Sequence, residues 1–156
     1  MELSRRVGAK TLHGVGLPGH FIVGFEKDEG VTQLVDVYEG AVEIDREKAA
    51  DLVLSITGGM LREDHLEPET KRAIILRMLR NLIGLQKRKG EPVNALPYLD
   101  VVLNLDPAAA AARFDRALLQ FQEGDHEAAK MDLRWILQNE PPGLDLHRLR
   151  QFYDRL

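Results

Sequence analysis

The chain has 156 residues, a formal net charge of −4, 44% hydrophobic and 29% charged residues, which excludes a disordered or fibrous protein and fits one compact domain or two small units. No apolar run approaches the roughly 20 residues of a membrane-spanning helix, and the N-terminus lacks the apolar segment of a signal peptide, so we expect a cytoplasmic protein. The sequence contains no cysteine, which excludes disulfides, thiolate metal ligands and thiol nucleophiles among these residues.

The first residues carry helix and turn signals in close succession. Residues 1–7 are typical of the last turns of a helix, which Gly8 would end. Residues 12–16 predict a short strand, and Leu17-Pro18-Gly19 predicts the turn that follows it. A domain rarely begins on the tail of a helix.

Residues 20–38 predict a β-hairpin. Residues 20–26 alternate, so that Phe21, Val23 and Phe25 share one face of the first strand. A turn at 28–30 leads to a second strand over 31–38. The two strands are therefore expected to be neighbours in an antiparallel sheet.

A further turn and strand lead into a helix. Tyr38-Glu39-Gly40 predicts a turn before a strand over 41–44. Asp45 is a favourable N-cap for a helix that runs to about Thr57, and Gly58-Gly59 would end it. Residues 1–59 thus form the first predicted domain, a partial α+β core.

Residues 60–67 are polar and lack periodicity, which predicts a linker. The second predicted domain, 68–156, is helical, with Pro68 in the first turn of a long helix. Its predicted core stripe comprises Ile74, Ile75, Met78, Leu79, Leu82 and Ile83.

Residues 68–90 hold seven basic side chains and one acidic side chain, a local charge of +6. This surface could bind an acidic partner or nucleic acid, but basic residues opposite a core stripe are more often a solvated helix face, and the negative net charge argues against a nucleic-acid binder.

The helical half contains an internal repeat. A shift of 34 residues aligns Gly90 with Gly124, Ala95 with Ala129, Leu99 with Leu133, Val102 with Ile136, Leu103 with Leu137, Asp106 with Glu140 and Pro107 with Pro141. This period, with glycine at the turn, a small residue early in the second helix and a closing proline, is similar to the tetratricopeptide repeat. Leu79 and Arg113 stand near the position where that family has a large aromatic residue. The resemblance implies antiparallel helical hairpins, first helices near 69–89 and 108–123, and a capping helix over 144–156.

The segment from Gly14 to Val23, with Gly-Leu-Pro-Gly-His at its centre, and the segment Val35-Asp36-Val37-Tyr38 together resemble the transglutaminase-like superfamily. More specifically, the chain resembles a bacterial branch that carries tetratricopeptide-like helices after the enzyme-like core. The resemblance implies that His20 begins one strand and that Asp36 ends the next, as catalytic residues. The sixteen-residue spacing across a hairpin would bring the imidazole and the carboxylate side by side.

The nucleophile of that family is a cysteine at the N-terminus of a helix just upstream of these strands. The resemblance implies that residues 1–8 are the end of that helix and that the cysteine-bearing part precedes Met1. Val37 also departs from the family pattern, which commonly has proline after the aspartate. His20 and Asp36 are therefore expected to be vestigial triad members whose nucleophile is missing. Ser4 and Ser55 have no motif around them that would make either a substitute.

Other patterns have simpler interpretations. Gly14, Gly16 and Gly19 match the spacing of a dinucleotide fingerprint, but a strand follows them where a helix is needed, so we expect a loop glycine cluster and no cofactor. The histidines are scattered without ligand spacing, which predicts no metal site. The cluster Glu63-Asp64-His65 in the predicted linker could mimic a polar site, but the solvation of a loop is sufficient to explain it.

Two functional hypotheses follow. The first is a non-catalytic scaffold that binds a protein or peptide partner in a groove of its helical hairpins. The second is a part of a Cys-His-Asp hydrolase, peptidase or acyl transferase whose nucleophile lies upstream of Met1. A sheet that lacks a covering helix would expose apolar surface around Phe21, Val23 and Phe25 or on the opposite face, so a homodimer through the sheet is also expected.

Overall fold

The computed structural model describes residues 12–26 and 32–156. Its strands are β1 His13–Val15, β2 Ile22–Glu26, β3 Thr32–Asp36 and β4 Val42–Ile44, and its helices are α1 Arg46–Thr57, α2 Lys71–Lys89, α3 Leu96–Leu105, α4 Ala110–Gln122, α5 His126–Asn139 and α6 Leu146–Tyr153. Short 3-10 helices occur at Glu63–Leu66 and Pro92–Ala95. The α+β fold class predicted from the sequence is confirmed. The predicted helix over residues 1–7 and the predicted turn at 28–30 lie outside the described residues.

The four strands form an antiparallel sheet in the order β1-β2-β3-β4. The register pairs Val15 with Ile22, Val23 with Val35 and Leu34 with Ile44. The predicted hairpin of β2 and β3 is confirmed. The chain divides into two compact units, Met1–Ile74 and Ile75–Leu156, and the division falls within α2.

The core of the first unit lies on one face of the sheet, which we call the inner face. Its buried side chains are Val15, Leu17, Ile22, Leu34, Ile44, Ala49 and Val53. Ile22 is fully buried, whereas Phe21, Val23 and Phe25 on the other face are only partly buried. Ala49 and Val53 come from α1, so this helix covers the inner face.

The start of α2 differs from the prediction. The helix begins at Lys71, and the Thr70 hydroxyl accepts a hydrogen bond from the Ala73 backbone N–H (3.1 Å). Pro68 instead forms a bridge with Val15, and the Glu69 N–H donates to the Gly14 carbonyl (2.8 Å). Pairing with the edge strand β1 keeps these residues extended, and this pairing is a long-range contact that helix-start signals do not report.

The predicted linker is more ordered than its sequence indicates. Residues 63–66 form a 3-10 helix, and Leu61 and Leu66 pack against the core of the first unit. Arg46 makes a bidentate ion pair with Glu63, and Arg62 makes another with Asp64. The polar residues of this segment are therefore held by ion pairs.

The predicted apolar stripe of α2 is wrong in part. Leu76, Leu79 and Ile83 are buried, whereas Ile75, Met78 and Leu82 are exposed. The buried three share a cluster with Ala95, Leu99, Val102 and Leu119 of the following segments. At 100° per residue the three buried side chains lie together on one side of the apolar surface of α2, and the three exposed side chains lie beside them.

The two copies of the 34-residue repeat have the same backbone geometry at their turns. Gly90 and Gly124 have φ of 77° and 82°, the left-handed conformation that glycine tolerates. The hydrogen bonds at the two turns also repeat: Gly90 and Glu91 donate to Lys87 and Gln86, and Gly124 and Asp125 donate to Phe121 and Gln120. Ala95 and Ala129 are both fully buried. Two successive helical hairpins, α2–α3 and α4–α5, therefore share one local geometry, with α6 packed after them.

The helices within residues 12–26 and 32–156 include none long and apolar enough to cross a membrane.

Candidate functional site

His20 and Asp36 lie on the inner face of the sheet, at the end where β2 begins and β3 ends. Because Val23 is opposite Val35 in the register, Ile22 is opposite Asp36, and His20 has the same side-chain direction as Ile22. His20 Nε2 is 2.8 Å from Asp36 Oδ2. An ionised carboxylate only accepts hydrogen bonds, so Nε2 carries the proton and donates it. The hairpin thus brings the two predicted site residues together.

Asp36 is held by three hydrogen bonds in a buried position. It is 1% exposed, and its Oδ1 accepts from the backbone N–H groups of Tyr38 (2.9 Å) and Glu39 (3.3 Å). Burial acts to raise the pKa of Asp36, but the hydrogen bonds from His20, Glu39 and Tyr38 and the charge of His20 outweigh it, so the pKa lies below its usual value. Asp36 is therefore an anion at neutral pH.

His20 is oriented from two sides. Asp36 fixes Nε2, and the Tyr38 ring lies edge-on to the imidazole with 6.1 Å between ring centroids. With Nε2 committed to the carboxylate, Nδ1 is the ring nitrogen through which His20 would exchange a proton with a third group. An imidazole held by a buried carboxylate is an arrangement that nucleophile-activating triads share.

The turn before β2 sets the position of His20. Leu17 is fully buried, and the His20 N–H donates to its carbonyl (3.1 Å). Gly19 has φ of 76°, and a Cβ added there would lie 2.4 Å from Ile56 Cγ2. The turn therefore requires glycine for its backbone conformation and for its close approach to α1.

Substitution of Gly19 tests this requirement. We expect Gly19→Ala to lower the free energy of unfolding of the first unit by about 1–2 kcal/mol for the left-handed backbone, and by more because Ile56 must move. Gly40→Ala is the matched control, since Gly40 has φ of 84° with nothing within 4 Å of an added Cβ. Urea unfolding followed by circular dichroism measures both variants. Equal losses would show that the contact with Ile56 has no energetic importance.

A cleft of about 430 Å³ lies beside Asp36. Its lining residues are Asp36, Glu39, Val42, Ile44, Lys48, Asp51, Leu52 and Ser55. The floor is apolar, and α1 supplies one wall through residues spaced three and four apart, which places them on one helix face. Ser55 lines this cleft, but its hydroxyl donates to the Leu52 carbonyl of its own helix (2.9 Å). Ser4 lies outside the described residues.

Three of the other histidines make local contacts. His65 Nδ1 accepts from the Arg62 N–H, His126 stacks edge-on against Phe121, and His147 hydrogen-bonds Gln151. In the part of the chain that the structure describes, no three histidine, aspartate or glutamate side chains are grouped as a metal site would require. Gly14, Gly16 and Gly19 lie in β1 and the turn after it, with no helix following them.

One ionic network was not predicted from the sequence. Asp132 on α5 is buried and accepts hydrogen bonds from Arg116 Nε (2.7 Å), Arg116 Nη2 (2.8 Å) and Arg113 Nη1 (3.1 Å). The Arg113 guanidinium also lies 4.2 Å from the centroid of the Trp135 ring. Arg113 stands near the place of the large aromatic residue of the repeat, so an ion pair and a cation–π contact replace an aromatic contact here.

Comparison with known proteins agrees with this geometry. Residues 1–80, about half of the chain, match the family model of the transglutaminase-like superfamily. The chain belongs to the transglutaminase-like superfamily. Residues 85–153 match a tetratricopeptide repeat model, so the resemblance of each half is confirmed. The catalytic role that the superfamily implies for His20 and Asp36 stays a prediction.

Individual relatives extend beyond this chain. A UPF0162 protein of Xylella fastidiosa strain 9a5c is 33% identical over 146 residues, which cover 90% of this chain and 51% of the relative. A UPF0162 protein of Pseudomonas aeruginosa is 31% identical over 145 residues, with 91% and 52% covered. The chain therefore spans about half the length of these curated relatives. No solved structure is significantly similar to it.

Proposed function

We propose that this chain is a cytoplasmic protein-interaction module, in which the helical hairpins bind a protein or peptide partner and the transglutaminase-like unit is a non-catalytic base. The observation that carries this proposal is the pair of hairpins α2–α3 and α4–α5, which repeat the same turn geometry. Stacked hairpins of this kind build extended binding surfaces from their exposed residues. The absence of cysteine from these 156 residues supports a role other than thiol chemistry within this chain.

Affinity purification with the full chain, followed by titration of the recovered protein, tests this proposal. We expect a partner that binds the purified chain in a saturable manner and binds His20→Ala equally well, because a scaffold does not use the imidazole. If no protein is retained reproducibly, or if binding is lost in His20→Ala while the variant stays folded, the scaffold proposal is wrong.

The pairing of His20 with Asp36 favours a second candidate function. A thiol supplied by sequence upstream of Met1 would complete a Cys-His-Asp set for hydrolysis or transfer at an amide. The coding DNA upstream of Met1 tests this candidate, which requires an in-frame extension that encodes a helix with a cysteine. In that longer protein, His20→Ala should slow alkylation of the cysteine by iodoacetamide at neutral pH by about tenfold or more, since the thiolate is the reactive form. A stop codon directly upstream, or an unchanged alkylation rate, would exclude it.

The homodimer expected from the sequence also stays a prediction. It would use the outer face of the sheet, where Val23 is partly buried in the single chain. Sedimentation velocity of the wild type and of Val23→Lys measures it, with dissociation expected in the variant. A monomeric wild type at high concentration would contradict it.

A further inference from the structure

A groove of about 340 Å³ lies between α2, α3 and α4 in the second unit. Its lining residues are Arg80, Ile83, Gly84, Lys87, Leu99, Val102, Ala109, Ala111, Ala112 and Asp115. Ile83, Leu99 and Val102 are buried and form an apolar floor. On the side of α4, most of the lining residues are alanines. Their small side chains leave room for an incoming side chain, which larger residues would block.

The charges at the rim are unbalanced. Lys87 Nζ pairs with Asp115 Oδ2 at 2.8 Å. Arg80 has no hydrogen bond or ion pair with any residue in the described ranges. It lies on a helix that carries seven basic and no acidic side chains. A carboxylate is the complementary group for such an arginine, and the guanidinium can bind it through two parallel hydrogen bonds.

The geometry favours a peptide over nucleic acid. Only Arg80 and Lys87 among the basic residues of α2 line the groove, and they are seven positions apart, about 10 Å along the helix. One of the two is already neutralised by Asp115. Nucleic-acid binding depends on many phosphate contacts along a continuous basic surface, whereas this groove offers one unpaired cation beside an apolar floor.

We propose that this groove binds an acidic peptide segment of another protein, with an apolar side chain on the floor and a carboxylate on Arg80. This inference rests on the proposed scaffold function and assigns its partner class and its binding site. An acidic segment with interspersed apolar residues satisfies both parts of the groove, because the charge is bound at the rim and the apolar group is buried between the helices.

Fluorescence anisotropy with the full chain tests the proposal. The probe is a short labelled peptide in which leucines are flanked by glutamate and aspartate, and a second peptide has lysine at every acidic position. We expect saturable binding of the acidic peptide alone. Arg80→Glu should weaken it by about tenfold or more, because an attractive contact becomes repulsive.

Two matched controls separate the groove from the general charge of α2. Lys89→Glu makes the same charge change on the same helix at an exposed position that does not line the groove, and should alter the affinity by less than about twofold. Ala111→Leu fills the groove at an exposed position and should weaken binding, whereas Ala108→Leu, at an exposed position in the turn before α4 and outside the groove, should not. Circular dichroism checks that each variant is folded.

Several outcomes would overturn the inference. These are equal losses in Arg80→Glu and Lys89→Glu, equal binding of the acidic and basic peptides, and tighter binding of a DNA oligonucleotide than of the acidic peptide. A dimer that only Arg80→Glu dissociates would assign the groove to a second copy of the chain. If a partner from the affinity purification binds Arg80→Glu as tightly as wild type, this inference fails while the scaffold function stands. If no protein binds at all, the scaffold function fails as well.

Discussion

Asp132→Ala is expected to lower the free energy of unfolding of the second unit by about 3–5 kcal/mol, the cost of removing one partner from a buried ion pair. Asp132 is 2% exposed and accepts three hydrogen bonds from Arg113 and Arg116. The two guanidinium groups are themselves largely buried. Without the carboxylate, they would keep their charge in a position where water replaces the lost hydrogen bonds only in part.

Arginine cannot escape this penalty by losing its proton. The hydrogen bonds from Arg116 to Asp132 are the main reason why the pKa of Arg116 lies above its usual range. Burial opposes them, and a bond to Asp100 adds to them. The group therefore stays charged at every pH at which the protein folds. The loss of stability in Asp132→Ala should therefore be independent of pH wherever the pH lies well above the pKa values of the carboxylates.

Urea unfolding followed by Trp135 fluorescence measures this effect, because Trp135 is the single tryptophan of the chain and lies in the second unit. The urea concentration at the midpoint of unfolding is compared between variants. The fluorescence intensity is not compared, because Arg113 contacts the indole ring and the substitution changes the surroundings of Arg113. Asp100→Ala is the matched control: Asp100 also binds Arg116, at 2.7 Å, but its side chain is 57% exposed. It should cost no more than about 1 kcal/mol. Similar losses for the two variants would contradict the assignment of Asp132 as the centre of the network.

Asp36→Asn is expected to destabilise the first unit by about 1.5–3 kcal/mol at neutral pH, the usual range for hydrogen bonds to a charged group. The amide can still accept from the backbone at Tyr38 and Glu39. It has no negative charge, however, and its NH₂ group faces His20 Nε2, so the imidazole must move its proton to Nδ1 in order to accept a hydrogen bond from the amide. The loss is therefore centred on the contact with His20.

The effect should depend on pH in a defined direction. The pKa of Asp36 is lower in the folded chain than its usual value of 3.8. The folded state therefore favours the ionised form, and this stabilisation is complete above the unfolded pKa and is lost as the pH falls through the folded pKa. The contribution of the Asp36 carboxylate to the difference in stability between wild type and Asp36→Asn should be complete above about pH 5 and should shrink below about pH 4.

Hydrogen exchange of peptides from β2 and β3, measured from neutral to acidic pH, follows this difference in the first unit. Asp51→Asn is the control, since Asp51 lines the same cleft but is exposed. It should change protection little at any pH. An acid profile of Asp36→Asn that equals that of the wild type would show that Asp36 makes no pH-dependent contribution.

Local signals in the sequence predicted the features that local physics controls. Asp45 caps α1 by accepting from the Lys48 N–H (2.8 Å), and Gly58 ends the helix with φ of 69°, as predicted. Gly90 and Gly124 adopt the left-handed conformation expected at the turn of each hairpin. Each of these features depends on a residue type and on its nearest neighbours along the chain, which the sequence displays directly.

The pairing of His20 and Asp36 was also predictable, for a different reason. The strand pattern on both sides of the turn set the register, and the side-chain period of two then placed both residues on one face. The resemblance to a known superfamily indicated which histidine and which aspartate to consider. The cleft beside Asp36 was not predicted, because its wall comes from α1, whose orientation over the sheet depends on packing.

The sequence alone thus determined the antiparallel hairpin, the capped helix and the 34-residue repeat, since each follows from patterns of apolar and turn residues along the chain, and its resemblance to known motifs indicated the superfamily. Only the tertiary structure decided three features: the side of α2 that is buried, the pairing of Pro68 with β1 outside the helix, and the hydrogen bonds of two arginines to Asp132. These features depend on which distant segments meet, and the free energy of burying a side chain depends on the neighbour that excludes water from it.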